Sequence, residues 1–74
     1  MTNGERLLLL RRRARLTQAE LAAAAGHAGQ YISRLESGVN IGTLATWTSL
    51  ADALGVPIGD LVGKTGPDET NAES

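Results

Sequence analysis

Three residues in the middle of this 74-residue chain, Gln30, Ser33 and Arg34, have side chains that recognise base edges and a spacing that puts them on one face of a helix. Gln can make a two-point contact with adenine, Arg a two-point contact with guanine, and Ser a single bond to either. Ala28, Ile32 and Leu35, spaced by four and three, form the apolar face that would turn those polar groups outward, and Gly38 closes the segment. Other chemistries lack the residues they need. His27 is the single histidine, there is no cysteine, and Glu5, Glu20, Glu36, Asp52 and Asp60 read as caps or helix-surface charges. No nucleophile and base come together, and the glycines fall at helix ends rather than in a phosphate-cradling loop. His27 has no second ligand near it in the sequence, so a cap, solvent or phosphate role fits it and a metal does not. The expectation is a protein that is not an enzyme and holds no cofactor or metal.

Helices must position those three side chains, and capping residues mark where the helices begin. Thr17 followed three residues later by Glu20 is a capping box, and Leu21, Ala22 and Ala25 give the helix behind it an apolar face. Gly26 ends that helix, and the segment carrying Gln30 and Arg34 follows after only two or three residues. Two helices so short and so close must cross and lean on further helices. Thr2 and Glu5 form another capping box, predicting a helix from about Asn3 to Ala14 with Leu7, Leu10, Ala14 and the following Leu16 inward. Leu8 and Leu9 are either partly covered by neighbouring arginine stems or an extra contact surface. After a loop over Val39-Asn40-Ile41-Gly42, Thr43 caps a helix from Leu44 to Leu54, with Leu44, Trp47, Leu50, Ala51 and Leu54 on its apolar face. Gly55 ends it, Pro57 starts a short last helix, and Ile58, Leu61 and Val62 close the core. The predicted architecture is all-α, a compact five-helix bundle over 1–62, followed by a disordered acidic tail over 63–74.

The net charge of −1 hides an uneven distribution. Five of the seven basic residues are Arg6, Arg11, Arg12, Arg13 and Arg15, whereas Asp68, Glu69 and Glu73 fall in the tail. A chain of this length makes one small domain that buries roughly 60% of its unfolded surface, so modest stability is expected. The absence of cysteine suits a reducing cytosol, and no apolar run reaches the ~18 residues of a membrane span.

Thr17, Gln18, Glu20, Leu21, Ala22, Gly26, Tyr31, Ile32, Ser33, Arg34, Glu36 and Gly38, continued in register through Ala51-Asp52-Ala53-Leu54-Gly55-Val56 to Leu61, resemble the helix-turn-helix of the Cro/repressor-type (XRE-like) DNA-binding family. The resemblance implies a lambda-repressor-like fold in which the second motif helix enters the major groove. The N-terminus of the first motif helix then points its free N–H groups at a phosphate. It places Gln18, Ala28, Gly29, Gln30, Ser33 and Arg34 toward bases and adjoining phosphates, with Asn40 and Thr43 in the loop beyond Gly38. Gln30 and Arg34 are the implied readers, Ser33 a phosphate or single-bond contact, and Gln18 a backbone contact that can brace a neighbour on the reading helix. The resemblance also pairs Arg11 with Glu36, holding the arginine toward a phosphate. The chain departs from the family at Ala28, where Ser or Thr caps the reading helix, so that helix starts behind Ala28 or already at His27. It departs again at Gly29 and in the loop after Gly38, which lacks lysine and arginine and leaves phosphate contact to backbone N–H groups around Gly42 and Thr43.

Few phosphates neutralised per subunit argue for a homodimer on a palindromic operator, with reading helices ~34 Å apart. The last two helices, through Trp47, Val56, Ile58 and Leu61, are the expected contact. The implied function is a sequence-specific transcriptional regulator, a repressor or autoregulator, cytoplasmic and encoded by a bacterium or phage. The alternative is a protein-interaction module, such as an antitoxin or adaptor, that keeps the scaffold but binds a partner through its exposed leucines.

Overall fold

Threonine starts three of the helices. The computed structural model describes residues 2–62 and places in them α1 (Asn3–Arg13), α2 (Gln18–Ala25), α3 (Gly29–Ser37), α4 (Leu44–Leu54) and α5 (Ile58–Val62). The expected tail over 63–74 lies outside the described residues. Thr2, Thr17 and Thr43 each accept a hydrogen bond from the backbone N–H three residues on, and Glu5 and Glu20 accept from the backbone N–H of Thr2 and Thr17 in return. Both predicted capping boxes are therefore present. The Thr2 N–H holds the Glu5 carboxyl below its ordinary value of 4.5. α3 begins differently, behind Ala28, whose side chain makes no capping bond.

Glycines in the left-handed conformation stop α2, α3 and α4, at Gly26, Gly38 and Gly55. α1 ends without one. There Arg15 takes φ 60°, and the Leu16 N–H reaches back 3.2 Å to the Arg11 carbonyl. An L-residue in that region costs about 1–2 kcal/mol.

Each helix contributes to one core. Leu7 of α1, Leu21 of α2, Ile32 and Leu35 of α3, Trp47 and Leu50 of α4, and Leu61 of α5 are fully buried. Removing a side chain of this size from water is worth about 1.5–3 kcal/mol. α2 packs on α3 and α4, α1 on α3 and α5, and α4 on α5, in a body of 28 × 21 × 19 Å. Two glycines permit close approaches. A Cβ at Gly4 would collide with the Leu35 and Glu36 carbonyl groups, so the start of α1 rests on the end of α3. A Cβ at Gly42, which has φ +80°, would lie 2.9 Å from Nε1 of Trp47 and 3.0 Å from Leu35. The indole N–H there donates to the Ile41 carbonyl at 2.9 Å. Among the described residues no helix is long and apolar enough to cross a membrane.

The interior revises the expected dimer contact. Trp47 is 1% exposed and Leu61 is fully enclosed, so neither can meet a second chain. The reason is volume: with no phenylalanine in the sequence, the core of this small domain is filled by its one tryptophan. Val56 and Ile58 are half-buried against the same core. Three residues expected to face inward do not. Ala14 and Ala28 are exposed, and Leu44, at the first position of α4, is 55% exposed. Leu8 is half-buried, whereas Leu9 is exposed.

Candidate nucleic-acid interface

α3 is sided as its sequence period predicts. Ile32 and Leu35 point into the core, which leaves Gln30, Ser33 and Arg34 exposed together on the opposite side. Among the described residues the Arg34 guanidinium enters no ion pair, so its two-point donor face is open to a partner. The Arg34 carbonyl is occupied: it accepts from the Ser37 hydroxyl at 3.1 Å and from the Asn40 N–H at 3.2 Å. Those bonds fold the chain back after α3 and fix Asn40, half-buried, beside the helix end.

The start of α3 lies against α2. Gly29 is half-buried with Ala19 next to it, at a distance where a Cβ would make ordinary contact. Gly29 therefore sits at the crossing of the two helices, and Ala28 before it is exposed. The angle of that crossing is held at its other end by a polar clamp. Glu36 accepts from Nε of Arg11 at 2.6 Å, from Nη2 of Arg11 at 3.1 Å and from Nε2 of Gln18 at 2.9 Å. Arg11 also donates through Nη1 to the Leu16 carbonyl at 2.8 Å. The Arg11 side chain is 12% exposed and that of Glu36 6%. One carboxylate thus ties the end of α1, the first residue of α2 and the last turn of α3, and Gln18 braces the neighbouring helix as expected of it.

The turn between α2 and α3 is anchored from the far side. Nε2 of His27 is 3.1 Å from the Ser49 hydroxyl, its ring lies 5.2 Å from that of Tyr31, and the Tyr31 hydroxyl is 3.2 Å from the Thr46 hydroxyl. These contacts make His27 a tie between the turn and α4. They were not visible in the sequence, because hydroxyl partners fifteen or more residues away leave no periodic trace.

Electrostatically, the face has a basic shoulder and a neutral loop. Arg12, Arg13 and Arg15 are exposed and immediately precede the N-terminus of α2, whose free N–H groups and macrodipole also favour an anion. Thr43 is exposed but its oxygen caps α4, and no charged residue lies between Gly38 and Thr43. The arrangement can present a narrow helix bearing hydrogen-bond donors and acceptors to a groove, flanked by arginines for a phosphate backbone.

Residues 4–63 match the profile of the helix-turn-helix domain family. The chain is also 45% identical over 67 residues to a protein of Sinorhizobium fredii named as an uncharacterized HTH-type transcriptional regulator, y4dJ, an alignment that spans 90% of this chain and 84% of that protein.

Proposed function

Since the chain belongs to the helix-turn-helix domain family, we propose that it is a DNA-binding transcriptional regulator that reads the major groove with α3. The observation that carries the reading is the exposed trio Gln30, Ser33 and Arg34 on a helix locked at both ends. Gln30 and Arg34 are the base readers and Ser33 contacts a phosphate or makes a single bond. Gln18, Ala28, Gly29, Asn40 and Thr43 present backbone or side-chain groups to the flanking phosphates. Arg11, nearly enclosed and bonded to Glu36, acts by positioning. The chain works as a homodimer on a palindromic operator, as a repressor or autoregulator in the bacterial cytoplasm, a setting supported by its resemblance to the Sinorhizobium protein.

Fluorescence anisotropy on the duplex just upstream of the chain's own coding region, against a shuffled duplex, tests this at low and physiological salt. The expected result is preference for the native duplex, with Arg34→Ala weakening binding on the order of 10- to 100-fold and relaxing the preference. Equal weak binding to both duplexes calls for selection from random DNA. Absence of binding at either salt favours an interaction module, for which exposed Leu9 beside Leu8 in a shallow groove with Glu5 and Arg12 is the matching surface.

A further inference from the structure

Where the start of α1 rests on the end of α3, a cleft of about 530 Å³ opens, with Ile41 on its wall and Leu35 and Trp47 behind it. A recess of that size falls in the range that takes small organic ligands. Its polar groups are acceptors in need of donors. Asn3, which lines the cleft, is 8% exposed, and among the described residues its carboxamide makes no hydrogen bond. Neither of its polar atoms is sealed off from open space, so the amide opens into the cleft. Oε1 of Glu5 takes the Thr2 N–H, which leaves Oε2 without a donor among the described residues. The Glu36 carboxylate is committed to Arg11 and Gln18, but its backbone carbonyl, set against Gly4, accepts no hydrogen bond among those residues. The Ser37 hydroxyl and the Trp47 indole N–H are already spent on the Arg34 and Ile41 carbonyls, and no basic side chain lines the cleft.

We propose that this cleft binds a small primary amine in its ammonium form, carrying an apolar body. An ammonium brings three donors, and the unfilled oxygens of Asn3, Glu5 and Glu36 receive them. The body lies against Leu35 and Ile41. Charge selects the same ligand. The N-terminus of α1 contributes about half a positive charge and the C-terminus of α3 about half a negative one, which cancel. The Glu5 carboxylate, held below its ordinary value by the Thr2 N–H, then sets the sign. An anion is repelled there, and a neutral molecule with a single hydroxyl leaves acceptors unfilled. Because Glu5 is exposed, its ion pair is weak and half-occupancy is expected on the order of 1 mM.

Amide shifts of the ¹⁵N-labelled chain, titrated with phenethylamine, test the site. Phenethyl alcohol and hydrocinnamate carry the same ring on an uncharged and an anionic end. The expected result is saturable shifts centred on residues 2–5 and 35–38 and on the Trp47 indole N–H, with both other compounds weaker. Glu5→Gln keeps the capping box, since glutamine also serves there, and should weaken the amine about 2- to 5-fold while leaving phenethyl alcohol unchanged. Asn3→Ala should weaken it about 2- to 10-fold, its spectrum reporting that the variant is folded. Equal affinity for the three compounds, shifts centred elsewhere, none at about 10 mM amine, or undiminished amine binding in Glu5→Gln would each overturn the proposal. Of the lining residues only Asn40 also belongs to the proposed DNA face, and the titration contains no duplex. The amine site therefore stands or falls apart from the DNA reading.

Discussion

Glu36 is the side chain on which the orientation of α3 depends. It is 6% exposed and satisfied by Arg11 and Gln18, so its removal leaves a guanidinium enclosed without a counter-charge. Breaking one side of such a pair costs about 3–5 kcal/mol. Domains of this size have about that much stability in total. Glu36→Ala should therefore be largely unfolded in the absence of denaturant, as read by circular dichroism and urea titration. Replacing both partners, Arg11→Met with Glu36→Met, should restore most of the loss, because no charge remains behind and Gln18 can turn to water. A single substitution costing under about 1 kcal/mol would mean that the pair is solvated in solution. The Arg11–Glu36 pair was legible in the sequence because the family resemblance fixes the register between them, whereas the resemblance gave Gln18 only as a brace on a neighbour and did not single out Glu36 as its partner. The ties from His27 to Ser49 and from Tyr31 to Thr46 were not legible, since each joins residues brought together only by the packing of α3 on α4.

At the level of the helices, beginnings and ends were legible wherever the signal is local. A capping box acts over three residues and a left-handed glycine over one, so the bounds of α2 and α4 follow from Thr17, Gly26, Thr43 and Gly55. Burial failed where the period was carried onto a terminus. Leu44 lies three residues before Trp47, but at the first position of its helix its direction is set by the incoming loop, and it stays out of the core. Ala28, at the cap of α3, fails for the same reason. The strained end of α1 carries a prediction of its own. Arg15→Gly relieves a left-handed arginine while giving the unfolded chain more freedom, so the net gain should be about 0.5–1 kcal/mol. A raised urea midpoint with an unchanged slope checks it. A lowered midpoint would mean that the Arg15 side chain holds contacts worth more than the strain.

For the molecule as a whole, charge and apolar surface lie in different places. Residues 2–62 hold six arginines and five carboxylates, and Arg11 is already committed to Glu36 while Arg6 is half-buried. With Arg34 proposed as a base reader, Arg12, Arg13 and Arg15 are left to meet phosphates. If each neutralises one, log K against log salt should be no steeper than about −3 per protomer. An anisotropy series across salt concentrations measures that slope, and one twice as steep would place phosphate contacts outside these residues. The surplus of apolar residues was also visible in composition, but its location was not. Which hydrophobic residues fill a core depends on volume: Trp47 and Leu61 went inside, and the excess emerged at Val39, Ile41 and Leu44. The placement of Trp47 has an optical consequence. It is the only tryptophan in the chain, wedged against Gly42 and Leu35 and hydrogen-bonded to the Ile41 carbonyl. Excited at wavelengths that Tyr31 does not absorb, the unlabelled protein thus carries one emitting indole, seated under the loop that joins α3 to α4, and its colour and quenching will register both melting and any displacement of that loop.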